Sequence, residues 1–100
     1  MPAYVISEVE PRDAALFEQY RTLAPATIER YGGRYIVRAG KADLVEGGPP
    51  PKAIIIVEFP SMAQVREWYA SPEYAEVLKV RANALERRLI FVEGCQGVAC

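Results

Sequence analysis

Residues 53–59 read Ala-Ile-Ile-Ile-Val-Glu-Phe, and this stretch decides the fold. Successive side chains of a β-strand point to opposite faces of the sheet. One face of the predicted strand is wholly apolar and consists of Ile55, Val57 and Phe59. The other face carries one carboxylate beside aliphatic side chains and consists of Ile54, Ile56 and Glu58. Both faces therefore need to be covered by other parts of the protein.

The sequence on either side predicts the element order strand, helix, strand, strand, helix, strand. Runs of β-branched and aromatic residues place strands at residues 4–9, 34–39, 53–59 and 88–93. The first helix should follow the N-cap residue Asp13 and end at Gly32, because apolar residues recur at intervals of three or four. Pro25 should bend or break this helix, since its ring removes a backbone donor. Residues 40–52 form a loop rich in glycine and proline.

Two helix starts follow the third strand in quick succession. Ser61 and Gln64 have the spacing of a capping box. Ser71 is a second N-cap, followed by Pro72 at the first helical position. The buried stripe of this second helical region is predicted to consist of Ala75, Leu78, Ala82 and Leu85.

This order predicts an α+β fold, a ferredoxin-like βαββαβ subunit with a four-stranded antiparallel sheet. Right-handed crossovers place both helices on one face of that sheet. The other face would expose a contiguous apolar patch of the kind that marks an interface, made of Ile54, Ile56, Ile36 and Ile6. We therefore expect a homodimer that pairs through the open sheet faces and encloses Glu58.

Composition narrows the class of protein. The 100 residues are 51% hydrophobic with a net charge of −1, which predicts a single domain over residues 1–94 and a short tail over residues 95–100. The basic residues are not clustered, which argues against nucleic-acid and membrane partners. No apolar stretch approaches the roughly 20 residues needed to span a bilayer, and the N-terminal residues do not have the pattern of a signal peptide, so we expect a cytoplasmic location. Histidine is absent, which removes the commonest general base and metal ligand, and neither a cofactor nor a metal is expected.

Three motifs carry a resemblance to a known family. They are Tyr-Gly-Gly-Arg-Tyr at residues 31–35, Ile-Val-Glu-Phe-Pro-Ser at residues 56–61 and Trp-Tyr-Ala-Ser-Pro-Glu-Tyr at residues 68–74. With these three motifs in this order, residues 4–93 resemble a family known only as a domain of unknown function, number thirteen-thirty. The prolines at residues 49–51 and the cysteine-bearing tail are not part of the family pattern.

The resemblance implies membership of the dimeric α/β-barrel superfamily, in which the sheets of two ferredoxin-like subunits pack together. It does not imply a reaction. Relatives in that superfamily include cofactor-free monooxygenases, haem-degrading enzymes, decarboxylating or lactone-isomerising enzymes and proteins without known activity. Haem handling is disfavoured here because no histidine is available as an axial ligand, although tyrosine ligation remains open.

Glu58 is the candidate catalytic residue. Desolvation beside Ile54 and Ile56 would raise its pKa and make it a proton acceptor or a ligand anchor. The alternative is a structural ion pair, because a buried carboxylate is rarely left unpaired. Three arginines are candidates for that partner: Arg34, Arg38 and Arg81. The first two are predicted to share one strand face with Ile36.

The candidate substrate-binding residues are Arg38, Tyr69, Ser71, Tyr74 and Arg81. Ser71 and Tyr74 lie at a helix start, where unpaired backbone donors favour anions, but a serine before proline is most simply an N-cap. Tyr69 is a pocket candidate beside Glu58, whereas the adjacent Trp68 is interpreted as packing. Arg81 follows Tyr74 by seven positions and shares its helical face.

Two cysteines lie in the tail. Cys95 and Cys100 cannot complete a tetrahedral zinc site within one subunit that lacks histidine. A reducing cytoplasm argues against a stable disulfide, so both are expected to be free thiols.

These observations leave two hypotheses about function. In the first, the protein binds a small, anionic organic metabolite in a cleft between sheet and helices, with Glu58 as base or ligand anchor. If such a protein is an enzyme, it acts without a cofactor. The second is a non-catalytic dimeric module in which Glu58 and the arginines form ion pairs only.

Overall fold

The stretch at residues 53–59 forms an inner strand of a four-stranded antiparallel sheet. The computed structural model describes residues 1–95. The elements in chain order are β1 (Ala3–Pro11), α1 (Ala14–Arg30), β2 (Arg34–Arg38), β3 (Ala53–Phe59), α2 (Met62–Tyr69), α3 (Pro72–Ala84) and β4 (Leu85–Glu93). The order of strands in the sheet is β2-β3-β1-β4. The predicted ferredoxin-like fold is confirmed, and the second helical region consists of two helices.

The two faces of β3 have different surroundings. Val57 and Phe59 are buried under the helices in one cluster with Ile28, Trp68 and other core residues. Ile54, Ile56 and Glu58 lie on the opposite face, which no helix covers, and are only partly buried. The helices therefore cover one face of the sheet, as the sequence predicted, and we call the other face the open face.

Helix α1 begins and ends where the sequence predicts. The Asp13 carboxylate accepts a hydrogen bond from the backbone N–H of Leu16 at 3.0 Å, which confirms the N-cap. Of the bend or break predicted at Pro25, the break is wrong, because α1 continues through this residue to Arg30, and the bend stays a prediction. The packing of the helix outweighs the one backbone hydrogen bond that a proline removes.

The Gly-Gly pair after α1 allows a close approach of backbone and core. Gly32 has a φ of 88°, a left-handed conformation that favours glycine. A Cβ on Gly33 would lie 2.7 Å from the Phe59 ring and 2.7 Å from a methyl group of Ile28. The sequence Tyr-Gly-Gly-Arg-Tyr thus brings β2 against the core immediately after the helix.

Helices α2 and α3 have the predicted N-caps. The Ser61 hydroxyl accepts a hydrogen bond from the backbone N–H of Gln64, and the Ser71 hydroxyl accepts one from that of Tyr74. The side chain of Gln64 instead donates to the carbonyl of Tyr31 at 3.2 Å. It thereby links the start of α2 to the end of α1.

The predicted buried stripe of α3 is wrong at its two alanines, whereas Leu78 is partly buried and packs against the core. Ala75 and Ala82 are exposed, whereas α3 buries Tyr74, Val77 and Ala84. Leu85 is buried, but as the first residue of β4.

Trp68 is a core residue, as predicted. It is buried, lies 4.3 Å from the Tyr74 ring between centroids, and donates a hydrogen bond from its indole N–H to the Thr27 hydroxyl at 3.1 Å. Thr27 in turn donates to the carbonyl of Ala24 within α1. This chain of hydrogen bonds joins α2 to α1 inside the core.

The C-terminal part of the chain corrects one expectation. Cys95 is disulfide-bonded, so the prediction of a free thiol is wrong for this residue. Cys100 lies outside the described residues, and the division into a domain and a tail stays a prediction. Across residues 1–95, no helix has the length and hydrophobicity needed to cross a membrane.

Candidate functional site

An irregularity in β2 decides where its arginines point. Arg34 lies opposite Glu58 on β3, but the register shifts between Tyr35 and Val37, so that Arg38 lies opposite Ile55. The prediction that Arg34 and Arg38 share one strand face is therefore wrong. A β-bulge adds one residue to an edge strand and reverses the alternation beyond it. Arg38 consequently lies on the helix-covered side of the sheet.

Arg38 lines a cleft between α1 and the sheet. The cleft has a volume of about 270 Å³. Three strands, one helix and the residue that follows β2 form its walls. The lining residues are Val9 and Pro11 of β1, Phe17, Tyr20, Arg21 and Ala24 of α1, Tyr35 and Arg38 of β2, Ala39 after it, and Ala53 and Ile55 of β3. It is a small, mostly apolar space of the kind that holds small molecules.

The polar groups of this cleft are cationic or phenolic. Arg38 stacks on Tyr35, with its guanidinium carbon 4.5 Å from the ring centroid, and forms no ion pair within the described chain. Arg21, the other lining arginine, pairs with the exposed Glu18 at 3.0 Å. Among residues 1–95, no carboxylate lines the cleft. The walls therefore favour an anion beside an aromatic surface.

Tyr35 also forms part of the wall. Burial raises the pKa of its hydroxyl to about 12, so this phenol is a neutral group at physiological pH. Within residues 1–95, no side chain or backbone group forms a hydrogen bond with it. The hydroxyl can therefore bond to water or to a ligand.

A half-buried arginine lies behind the cleft. Arg87 of β4 donates to the Tyr20 hydroxyl at 2.8 Å and to the Tyr74 hydroxyl at 2.9 Å. It forms no ion pair with a carboxylate in the described part of the chain. Burial raises the pKa of Tyr74, which lies fully in the core. Tyr20 is the member of this trio that also lines the cleft.

Glu58 lies elsewhere. It is on the open face, where its carboxylate accepts a hydrogen bond from Nε of Arg34 at 3.0 Å and forms an ion pair with Nη2 of the same residue at 2.9 Å. Partial burial and the Glu58 carboxylate raise the pKa of the adjacent Tyr4. The Arg34 side chain is 73% exposed and that of Glu58 is 26% exposed. The ion pair considered for Glu58 is thus present with Arg34, on the opposite side of the sheet from the cleft.

The remaining site candidates are not brought together. The Ser71 hydroxyl is occupied in capping α3 and in donating to the carbonyl of Trp68 at 2.7 Å. Tyr69 packs against Phe91 with ring centroids 5.6 Å apart and is not near Glu58. Arg81 does not line the cleft, and its buried Nε makes no hydrogen bond with any described residue. Of the five predicted substrate-binding residues, Arg38 lines the cleft and Tyr74 contacts its wall.

Four residues of this site were missed by sequence reasoning: Tyr20, Arg21, Tyr35 and Arg87. The alternation of Leu85, Arg87, Leu89 and Phe91 carried a signal, because it places one charged side chain on the apolar face of β4. Tyr20 lay in the predicted stripe of α1 and was interpreted as packing alone.

The open face carries a row of aliphatic side chains across all four strands. The strand register places Val37 of β2 opposite Ile56 of β3, Ile56 opposite Ile6 of β1, and Ile6 opposite Ile90 of β4. The predicted positions of Ile6, Ile54 and Ile56 on this face are confirmed. Ile36 lies within the bulge and lines a depression of this face with Ile54 and Ile56, while Val37 is the residue directly opposite Ile56.

Two wider and shallower depressions lie outside the cleft. One, of about 530 Å³, lies on the open face beside Ile54 and Ile56. The other, of about 430 Å³, lies where Pro49 and Pro50 approach Glu8 and Arg88. The cleft is the most enclosed of the three. Its lining combines apolar side chains with Arg38, which has no ion-pair partner within residues 1–95. Residues 1–95 contain no cluster of acidic and cysteine side chains that could hold a metal.

Comparison with known proteins identifies the family. A family model described as a domain of unknown function, DUF1330, matches residues 2–95. The chain therefore belongs to this family, and the resemblance seen in the sequence is confirmed. No curated protein matches the chain at a significant level.

Solved structures share the fold. A protein of unknown function from Rhodopseudomonas palustris is 26% identical with a TM-score of 0.77, covering 95% of this chain and 83% of its own. SnoaB, a cofactor-independent oxygenase from Streptomyces nogalater, is 12% identical with a TM-score of 0.66, covering 98% of this chain and 97% of its own. A dimeric, ferredoxin-like protein of unknown function from Bacteroides fragilis is 16% identical with a TM-score of 0.59, covering 93% of this chain and 96% of its own.

Proposed function

We propose that this member of the DUF1330 family binds a small organic acid with an aromatic or otherwise apolar body in the cleft between α1 and the sheet. The observation that carries the proposal is Arg38, a cation on the cleft wall without a carboxylate partner among the described residues. A carboxylate of the ligand would supply the missing counter-charge, since the guanidinium group binds carboxylates with two parallel hydrogen bonds.

The rest of the wall determines the body of the ligand. Phe17, Ala24 and Ile55 offer apolar surface, and Tyr35 offers a ring already stacked with Arg38. A volume of about 270 Å³ lies just below the usual range for drug-sized ligands. The expected ligand is therefore a small metabolite rather than a cofactor or a nucleotide.

Catalysis by Glu58 is not part of this proposal. Its carboxylate lies across the sheet from the cleft and is paired with Arg34. SnoaB shares the fold but is too distant for its chemistry to be carried over. We assign Glu58 and Arg34 to the pairing of subunits, which is the role the second sequence hypothesis gave them.

We also propose that two copies pair through their open faces. The aliphatic row across the sheet would otherwise remain in water, and burying apolar area stabilises an assembly by about 25 cal/mol per Å² before the costs of association. The description of the Bacteroides fragilis neighbour as dimeric supports this arrangement. The cleft lies on the helix side of the sheet and stays accessible in such a dimer.

A thermal-shift screen with small carboxylic acids and their neutral amides tests the ligand proposal. Acids that bind should raise the melting temperature by mass action, and the matching amides should not. Arg38→Gln should weaken acid binding by about 10- to 100-fold, the usual contribution of a hydrogen-bonded charge. Arg66→Gln, which removes an exposed arginine outside the cleft, is the matched control.

Glu58→Gln separates this proposal from the sequence-based role of Glu58. Acid binding should survive Glu58→Gln, because that carboxylate does not touch the cleft. Binding that survives Arg38→Gln but is lost in Glu58→Gln would refute our assignment and favour Glu58 as the ligand anchor.

A further inference from the structure

The trio Tyr20, Tyr74 and Arg87 points to a second feature of the ligand. We propose that the Tyr20 hydroxyl, held in place by Arg87, donates a hydrogen bond to a carbonyl oxygen of the ligand, which is therefore a keto acid. This inference rests on the proposed function, because it specifies the class of acid that the same cleft binds.

Arg87 is an unusual residue for the inner face of a sheet. Arg87 is half-buried, and a guanidinium that is largely withdrawn from water normally pairs with a carboxylate. Here its two described side-chain partners are phenol oxygens, those of Tyr20 at 2.8 Å and Tyr74 at 2.9 Å. Both hydroxyls therefore use one lone pair to accept from Arg87, and their own protons must go elsewhere.

The geometry decides where each proton goes. Tyr74 is fully buried, and Arg87 already donates to its hydroxyl oxygen. Among the described residues, the one acceptor within reach of the Tyr74 proton is the Tyr20 oxygen, 3.5 Å away. The Tyr74 proton is then directed to Tyr20, whose oxygen accepts from both neighbours. The Tyr20 proton has no acceptor within this trio, and Tyr20 lines the cleft. A ligand oxygen in the cleft would accept it.

The positive charge behind Tyr20 indicates the kind of oxygen. Donation from Arg87 and Tyr74 polarises the Tyr20 O–H bond and strengthens the bond that it donates. A ketone oxygen suits this position, because it accepts a hydrogen bond without needing a further counter-charge. Arg38 remains available for the carboxylate on the β2 side of the same cleft.

Phenylbutyrate and benzoylpropionate form a matched pair of probes, because they differ by the ketone oxygen alone. Isothermal titration should show that the wild type binds benzoylpropionate about tenfold more tightly, the effect of one strengthened hydrogen bond. Tyr20→Phe should abolish this preference. Tyr31→Phe is the matched control: it removes the partly buried hydroxyl that donates to Glu73 outside the cleft, so the preference should persist.

Each other outcome overturns the inference. Equal affinity of the wild type for both acids would show that no donor contacts the ketone, while leaving the proposed acid site intact if Arg38→Gln weakens both. Loss of the preference in Tyr35→Phe but not in Tyr20→Phe would assign the donor to Tyr35. If neither acid binds the wild type, the inference is overturned, and the proposed function is then decided by the wider screen of acids and Arg38→Gln.

An infrared measurement on the wild type removes any dependence on the folding of the variants. The stretching frequency of an isotope-labelled ketone in bound benzoylpropionate should fall below its value in an apolar solvent, because a hydrogen bond weakens the C=O bond. An unshifted band in the complex would overturn the inference.

Discussion

Shortening Ile90 to alanine should weaken the proposed dimer and leave the fold of one subunit intact. Ile90 is 39% exposed and lies in the aliphatic row of the open face beside Ile6. Fully burying an isoleucine stabilises by about 1.5–3 kcal/mol, so covering this exposed fraction contributes about 0.6–1.2 kcal/mol per copy. A two-fold dimer buries the residue twice, so about 1.2–2.4 kcal/mol is lost and the dissociation constant of Ile90→Ala should rise by about 8- to 60-fold.

Leu23→Ala is the matched control, since Leu23 is 40% exposed but lies on α1 rather than on the sheet. Sedimentation equilibrium across a dilution series gives the dissociation constants, and circular dichroism confirms that both variants fold. The wild type should have about twice the 11.1 kDa mass of the chain at micromolar concentration. A monomeric wild type, or equal dissociation of the two variants, would refute the reasoning that a second copy covers the open face.

Two further predictions concern the core and its titration. Thr27→Val should lower the free energy of unfolding by about 1–3 kcal/mol in denaturant melts, because it leaves the buried indole N–H of Trp68 without its acceptor. The control Thr22→Val removes a hydroxyl from the exposed face of α1 and should change the free energy of unfolding by less than about 0.5 kcal/mol. Equal losses in the two variants would contradict the role assigned to Thr27. Burial raises the pKa of Tyr35 to about 12 and that of Tyr74 above its ordinary value, so the folded state holds these two protons more tightly than the unfolded state. The free energy of unfolding should therefore fall as the pH rises from about 10 to 12. Phenolate absorbance that titrates identically in native and denatured protein would contradict this expectation.

The sequence predicted the fold because its local signals agree with one another. Asp13, Ser61 and Ser71 all cap the helices that they were predicted to begin. The run at residues 53–59 reproduces the bounds of β3, and its alternation correctly separates the covered face from the open one. Caps and strand alternation are short-range properties, so a single sequence contains enough information to read them.

The phase of α3 could not be read in the same way. Alanine fits an exposed or a buried position, so Ala75 and Ala82 looked like members of the buried stripe. Tyr74 and Val77 are buried instead, and the Tyr74 hydroxyl has a hydrogen-bond partner in the half-buried Arg87. That partner is thirteen residues away in the sequence and belongs to another element. Only the tertiary structure shows that a tyrosine here can be fully buried.

The position of Arg38 follows from the one-residue irregularity in β2. Simple alternation places Arg34 and Arg38 on the same face, beside Glu58, and would leave the cleft without the cation at its β2 wall. The bulge keeps Arg34 on the open face and moves Arg38 to the side of the helices. An edge strand tolerates such a bulge, because its outer backbone groups have no neighbouring strand to pair with. One short strand thereby supplies a charge to each face of the sheet, Arg34 toward the proposed subunit contact and Arg38 toward the proposed ligand. This separation explains why the carboxylate most visible in the sequence is not part of the cleft.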